Sequence, residues 1–297
     1  MEDLNKLRNE ILDFQIKELS GVTRVLLQVF GSAGHGKSSF VNSISYALIG
    51  GNFKTTAPVA SGSEAFGGLT TIRHSYKLTD LITAVDNRGF GKMDSYETQE
   101  IYAQLANILP LDEPVQWSDT SFADTLKKVY GAQLLSEDLI VPIYVYSVEE
   151  TLNKERAGEI SSLLKIAQQM SGILPIVVLT KKNKGDAHKV QKMFVEIGME
   201  NIYPVENYTP DDNVKTPGKD RQFLVILSEA LQLAEFRMKT VADLHQDHEE
   251  RMQQLLLMAC EREKEKALEE QQRVFEKEKN ELNEKIEKAN KKWCILS

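Results

Sequence analysis

Apolar residues recur at two distinct periods along this chain, and the changes of period mark out its elements. Leu4, Leu7, Ile11 and Phe14 are spaced three to four residues apart ahead of Gly21, which predicts an amphipathic helix within residues 1–21 that packs its stripe on the domain beyond it. From residue 22 to 235, short continuous apolar runs take over: Arg24 to Phe30, Ile72 to Leu78, Leu81 to Val85, Leu139 to Ser147, Leu174 to Thr180 and Ile202 to Val205. These read as buried strands. Between them residues 39–48, with Phe40, Ile44 and Leu48 on one stripe, and residues 155–171, 187–197 and 219–235 read as helices. Such alternation predicts an α/β, three-layer domain with a mostly parallel sheet and a ligand at the carboxyl ends of its strands.

Beyond residue 236 the pattern changes again. Residues 261–292 hold ten acidic and ten basic side chains without Pro or Gly, and Glu269 with Arg273, Glu281 with Lys285 and Glu284 with Lys288 form favourable i,i+4 pairs. This composition predicts a long charged helix over residues 236–293. Leu268, Phe275, Leu282 and Ala289 repeat every seven residues, after an earlier seven-residue spacing of Val241, His248 and Leu255. The companion d positions are mostly polar, so the pattern fits a weak coiled coil, a helix lying on the globular domain, or a free charged rod.

One stretch carries recognisable chemistry. In RVLLQVFGSAGHGKSSFVNSI, residues 24–44, an apolar strand runs through Gly31, Ser32, Ala33, Gly34, His35 and Gly36 into Lys37, Ser38 and Ser39 at the start of a helix. A strand turning sharply into a helix aims several main-chain N–H groups at one point, and the helix adds its positive end, so the place binds phosphate. The spacing is that of the GxxxxGK[ST] P-loop, in which Lys37 reaches the terminal phosphates and Ser38 ligates Mg²⁺.

Charge narrows the options. With 36 Lys and Arg against 44 Asp and Glu the net charge is −8, which argues against a general nucleic-acid partner while leaving room for a locally positive nucleotide pocket. Cys260 and Cys294, the two cysteines, supply neither a disulfide framework nor a metal spacing. The opening MEDLNKLRNE lacks the basic and apolar regions of a signal peptide, and no apolar run approaches the 18 residues of a membrane span. A cytoplasmic protein is expected.

Later strand ends choose among P-loop proteins. LITAVDNRGF supplies Asp86, then two residues, then Gly89: an Asp able to hold Mg²⁺ from the second shell through water, and a Gly able to give its N–H to a γ-phosphate. Between the P-loop and this DxxG, Thr70 or Thr71 in a Gly- and Ser-rich loop is a further candidate Mg²⁺ ligand, Thr71 the preferred one. Strand LPIVVLTKKN ends in Thr180, Lys181, Lys182 and Asn183, and NIYPVENYT places Asn207 in a last strand-end loop.

In this order the motifs over residues 22–235 resemble the five G motifs of translation-factor-related GTPases. The leading helix, GKSSFVNSI and the Asn-Tyr loop resemble more closely the interferon-induced protein 44 family of GTP-binding proteins. The head-and-helical-tail plan is similar to that of the guanylate-binding proteins, whose tail is a larger bundle. The resemblance implies a P-loop G domain, guanine nucleotide and Mg²⁺ as ligands, and a link to innate defence. Nucleotide contacts then fall on residues 31–39, Asp86, Gly89, Thr180, Lys181, Asn183 and Asn207.

Two positions depart from the pattern. Asn183 stands where the guanine-reading motif usually carries Asp, which accepts from N1–H and the 2-amino group; an amide turns a donor toward one of them. Asp186, three residues on, is the nearest substitute. Phe90 stands where many small GTPases carry a water-orienting Gln, and no Arg lies in the P-loop, which leaves His35 and Arg88 as the nearest catalytic candidates and predicts slow hydrolysis.

The tetrapeptide Cys294-Ile295-Leu296-Ser297 matches a farnesyl-type CaaX box, with Lys288, Lys291 and Lys292 as a modest basic second signal. The sequence therefore predicts a slowly hydrolysing GTP-binding switch on the cytosolic face of membranes, tethered through Cys294 and able to form a nucleotide-dependent homodimer. A non-hydrolysing nucleotide-gated scaffold and an ATP-dependent P-loop enzyme are the alternatives.

Overall fold

The structure is a computed structural model that describes residues 2–16, 21–58, 72–91, 101–107, 109–113, 137–241 and 243–296. Helix α1 (Glu2–Leu12) leads into β1 (Arg24–Phe30), the P-loop turn and α2 (Lys37–Ile49). Then come β2 (His74–Lys77), β3 (Ile82–Asp86), β4 (Asp138–Ser147), α3 (Lys154–Ser171), β5 (Ile176–Thr180), a 3₁₀ turn at Lys182–Lys184, α4 (Ala187–Glu196), β6 (Ile202–Pro204), α5 (Pro217–Thr240) and α6 (Leu244–Leu296). Thr70 and Thr71 lie outside the described residues.

The six strands form one sheet in the order β2-β3-β1-β4-β5-β6. Every pairing is parallel except β2 with β3, so the antiparallel hairpin sits at an edge. Consecutive residues of the central strands face opposite layers, which is why these strands read as unbroken apolar runs. Val141, Ile143 and Val145 of β4 join a core with α1, α2 and α5, while Tyr144 and Tyr146 join a second core with α3, α4 and the start of α6. The chain is thus an α/β three-layer domain with a long C-terminal helix.

Helix α5 shows how local sequence and burial agree. Thr216 caps it by accepting from Lys219 N–H at 3.2 Å, and Pro217 fills the first turn, where no N–H is missed. Phe223, Leu224, Leu227, Ala230 and Ala234 are almost fully buried. Each large side chain among them is worth about 1.5 to 3 kcal/mol of burial.

The predicted helix boundary near residue 236 moves. Helix α5 runs on to Thr240, Val241 is extended, and Asp243 starts α6 by accepting from the N–H groups of His245 at 2.9 Å and Gln246 at 3.0 Å. A capping Asp followed by an Arg237–Asp247 ion pair fixes the joint, a feature that charge patterning does not show. Met252 and Ala259 of α6 are buried against the domain, and from residue 264 to 286 the helix is exposed.

Beside β1 lies a polar cluster that periodicity hides. Arg73, 1% exposed, donates to Asn87 Oδ1 at 2.9 Å, Asn107 Oδ1 at 3.0 Å, Gln28 Oε1 at 3.1 Å, the carbonyl of Gln104 at 3.3 Å and the carbonyl of Leu109. Asn87 in turn donates to Gln28 Oε1 at 2.8 Å. Burial pulls the guanidinium below its usual pKa, with Asp138 and Asp112 opposing. A charge so deep is tolerated because its donors are met by acceptors. Arg73→Ala should therefore lower unfolding free energy by about 3 kcal/mol or more, since it strands several buried acceptors and opens a cavity. Arg73→Lys should recover only part of that, because one ammonium cannot reach acceptors on three segments. Urea unfolding of the two variants beside wild type checks both.

Candidate nucleotide site

At the end of β1 the chain needs glycine for a geometric reason. A Cβ on Gly31, whose φ is +148°, would lie 2.3 Å from the Val145 carbonyl oxygen. The turn therefore hugs β4 and delivers residues 32–36 to the head of α2. Helix α2 begins at Lys37 with no side-chain cap on its first N–H groups, and Gly36 precedes it in a left-handed conformation. Uncapped donors at a helix start are the main-chain half of an anion site.

The side chains supply the rest. Lys37, 7% exposed, donates to the Ser32 carbonyl at 3.0 Å. Burial lowers its pKa to about 8, with Asp86 opposing, so the ammonium sits where an anion would relieve it. Ser38 donates to Asp86 Oδ2 at 2.6 Å, and Asp86 Oδ1, fully buried, has no hydrogen-bond partner among the described residues. Burial raises the Asp86 pKa, while the Ser38 hydrogen bond and Lys37 pull it down. A hydroxyl beside a carboxylate with an unmet buried oxygen fits a hard divalent cation.

Gly89 closes the other wall. A Cβ there would lie 2.6 Å from Lys37 Nζ and 2.8 Å from Ala33 Cα, so the DxxG segment rests directly on the P-loop. The Phe90 carbonyl accepts from Ala33 N–H at 2.9 Å, and its ring is buried in the second core. Phe90 is thus an anchor for the loop. Arg88 is half-buried next to it, and Ala33 and Gly34 are exposed on the crest.

Two loops brace the P-loop from the far side. Thr180 Oγ1, fully buried at the end of β5, donates to the His35 carbonyl at 2.7 Å. Asn207, 8% exposed, donates from Nδ2 to the Gly36 carbonyl at 3.1 Å, and its Oδ1 is buried without a partner among the described residues. Tyr208 comes next, its N–H donating to Ser43 at 2.8 Å and its hydroxyl to Asp220 at 2.8 Å. Ser39, at the start of α2, accepts at its carbonyl from Ser43.

The remaining candidates are placed less centrally. Lys181, in a left-handed conformation, pairs with Glu149, which Lys184 also approaches at 3.5 Å. Asn183 is exposed in the 3₁₀ turn, and its N–H donates to Glu206 Oε2 at 3.3 Å. Asp186 caps α4, accepting from Lys189 N–H at 3.0 Å. Cys294 lies in the last turn of α6.

Three contributors carry no motif in the sequence. Arg73 and Asn87 fix the DxxG segment to β1, and a Gln28 inside an apolar strand was the available signal. Arg156, in the first turn of α3, donates to Ser32 Oγ at 3.1 Å. No sequence spacing links residue 156 to residue 32.

No family model matches this chain, and no curated protein matches it. Among solved structures it is similar to nucleolar GTP-binding protein 1 from Plasmodium falciparum, at 13% identity and a TM-score of 0.36 over 72% of this chain and 89% of that one. It is also similar to the signal recognition particle receptor SRb-GTP/SRX complex from Chaetomium thermophilum, at 11% identity and a TM-score of 0.33 over 70% of this chain and 99% of that one. Overlap this low bears on neither ligand nor partner, so the reading of the site rests on its own geometry.

His35 offers a pH test. Its ring, 6% exposed, meets the edge of Tyr146 at 5.0 Å. Burial first and the Lys37 charge second lower its pKa from 6.5 to about 3. Below pH 6.5 the unfolded chain takes up a proton that the folded chain refuses, so this contribution to stability is complete above pH 6.5 and is lost as pH falls toward 3. Between pH 6.5 and 5 the loss is about 2 kcal/mol. Urea midpoints at the two pH values should separate by less in His35→Gln than in wild type; an equal separation would mean that His35 is not held neutral.

Proposed function

We propose that this chain is a GTP-binding switch that uses Mg²⁺ and hydrolyses slowly. The observation that carries the reading is the constellation of buried Lys37 and Asp86 with half-buried Ser38 at the uncapped start of α2, with Asp86 Oδ1 unmet among the described residues. In it Lys37 neutralises the β and γ phosphates, the N–H groups of residues 34–39 cradle them, and Gly89 gives its N–H to the γ-phosphate. Ser38 and Asp86 would hold Mg²⁺, Asp86 from the second shell and Thr71 as a further ligand; the ion supplies charge neutralisation and orientation of the phosphate oxygens.

Slow turnover follows from Phe90. A ring buried in the core cannot orient water, and His35 is held neutral and packed against Tyr146. The same observation supports a second reading, a nucleotide-gated scaffold that does not hydrolyse at all. Multiple-turnover phosphate release separates the two.

Lys37→Ala is the direct test of binding. Calorimetry with GTP and Mg²⁺ should show at least a hundredfold loss of affinity, because a charge-assisted contact to phosphate disappears. The nucleotide-free variant should melt no lower than wild type, since it removes a buried charge. Undiminished affinity overturns the phosphate assignment.

We further propose that Cys294 carries a farnesyl group and tethers the head to the cytosolic face of a membrane, and the resemblance to the interferon-induced protein 44 family suggests a place in innate defence. From Ala259, the last buried residue of α6 among the described ones, to Cys294 a helix rising 1.5 Å per residue spans about 50 Å. That is shorter than a helix free from residue 236 would give. One prenyl chain anchors reversibly, so a nucleotide-dependent homodimer with two anchors would bind more tightly. In eukaryotic cells the full chain should pellet partly with membranes in a salt-sensitive way and Cys294→Ser should remain in the supernatant; equal pelleting rules out the anchor.

A further inference from the structure

We infer that Glu206 is the side chain that reads the guanine edge, in place of the carboxylate missing at Asn183. The inference rests on the GTP reading of the site and names how the same site selects its base.

Sheet order fixes which end of the nucleotide goes where. Asp86 and Gly89 come at and after the end of β3, on one side of β1, and with Lys37 and Ser38 they define the γ-phosphate end. The loops after β5 and β6 lie on the opposite side of β1 and touch the P-loop through Thr180 and Asn207. An extended nucleotide with its terminal phosphate at the first side therefore lays its base along residues 181–186 and 205–208.

Guanine offers two adjacent donors there, N1–H and the 2-amino group. Adenine offers an acceptor at N1 and only a C–H beside it. A carboxylate with spare lone pairs accepts both guanine donors and repels adenine, whereas an amide presents a donor to a donor.

Of the carboxylates that border these loops, Asp220 already accepts from the Tyr208 hydroxyl and pairs with Arg8 and Lys215, and Glu149 and Asp186 are engaged as well. Glu149 is paired with Lys181 and Lys184, whose contacts hold its carboxyl below the usual range, the Lys181 hydrogen bond foremost. Asp186 is used as the cap of α4. Glu206 is half-buried, and among the described residues its Oε2 receives one main-chain bond, from Asn183 N–H at 3.3 Å. No cation among the described residues pairs with it. That one bond sets the carboxylate against the turn where the family pattern has its Asp and leaves its other lone pairs for a ligand.

Neighbouring contacts hold it in place. Asn207 is tied to the Gly36 carbonyl and Tyr208 to Ser43, so the backbone carrying Glu206 is pinned to the head of α2 on its C-terminal side. In this arrangement Asn183 contributes its main-chain N–H, and its side chain is exposed.

Titration calorimetry of the full chain with Mg²⁺ and four triphosphates, those of guanosine, inosine, adenosine and xanthosine, tests the assignment. Wild type should bind guanosine triphosphate best and lose about tenfold with inosine, which lacks the 2-amino group. Glu206→Gln should lose roughly 10- to 100-fold for guanosine triphosphate, the range of one bidentate base contact. It should also gain affinity for xanthosine triphosphate, because an amide can donate to the xanthine 2-oxygen while accepting from N1–H; a merely structural role for Glu206 predicts no such gain. Asp186→Asn should leave the base order unchanged.

Wild type that binds the guanosine, inosine and adenosine triphosphates alike overturns the inference and leaves the P-loop reading standing, and this arm needs no variant to fold. An unchanged base order in folded Glu206→Gln, or a change produced by Asp186→Asn instead, also overturns it. Wild type that binds no triphosphate removes both readings together.

Discussion

A lysine ammonium held out of water is the constraint around which this structure is arranged. Lys37 lies beneath the P-loop with the Ser32 carbonyl as hydrogen-bond acceptor and Asp86 as the nearby opposing charge. Neither Lys37 nor Asp86 is at ease, since burial pushes the Lys37 pKa down and the Asp86 pKa up. A site that disfavours both charged forms is prepared for a ligand that brings more of each sign, anionic phosphate for the one and a cation for the other. The two close approaches at Gly31 and Gly89 serve this geometry. One lets the turn settle on β4, and the other lets the DxxG loop reach Lys37 Nζ.

Holding the turn requires support from both flanks of β1. On one flank Thr180 and Asn207 donate to successive P-loop carbonyls, and the Asn207–Tyr208 segment is fastened through Asp220 to Arg8 of α1 and Lys215. The N-terminal helix thereby helps fix the loop that flanks the candidate base site. On the other flank Arg73 gathers Gln28, Asn87 and Asn107, so the DxxG loop is tied to β1 by a buried polar cluster as well as by the burial of Phe90 in the core. Such clusters are intolerant of partial loss, because every stranded acceptor remains in a low-dielectric interior. They give the two loops one geometry each.

The tail obeys a different logic. Met252, Leu256 and Ala259 dock α6 on the second core, beside α3. Further along the helix Leu268, Phe275 and Leu282 are each more than half exposed. Their seven-residue spacing lacks apolar d positions, and charge pairs four residues apart supply local support of a few tenths of a kcal/mol each.

Much of this was legible in the chain. Strand runs and helical stripes define the elements within a few residues because apolar burial imposes a period wherever an element meets a core. The phosphate cradle is readable because its parts are contiguous: glycines for the turn, then Lys37 and Ser38. Asp86 and Gly89 are readable because a strand end puts them on the same side of the sheet. What tertiary structure alone decided is which distant groups meet. Arg156 reaches Ser32 across 124 positions, Arg73 finds acceptors on three other segments, and Phe90 turns into the core. The carboxylates near the base loops are the sharpest case. Asp186 is nearer in sequence to the missing position, yet it caps α4, while Glu206, 23 residues away, sits against the Asn183 N–H because β5 and β6 are neighbours in the sheet. Spacing along a chain encodes local geometry, and partners joined by strand order are fixed only when the sheet is assembled.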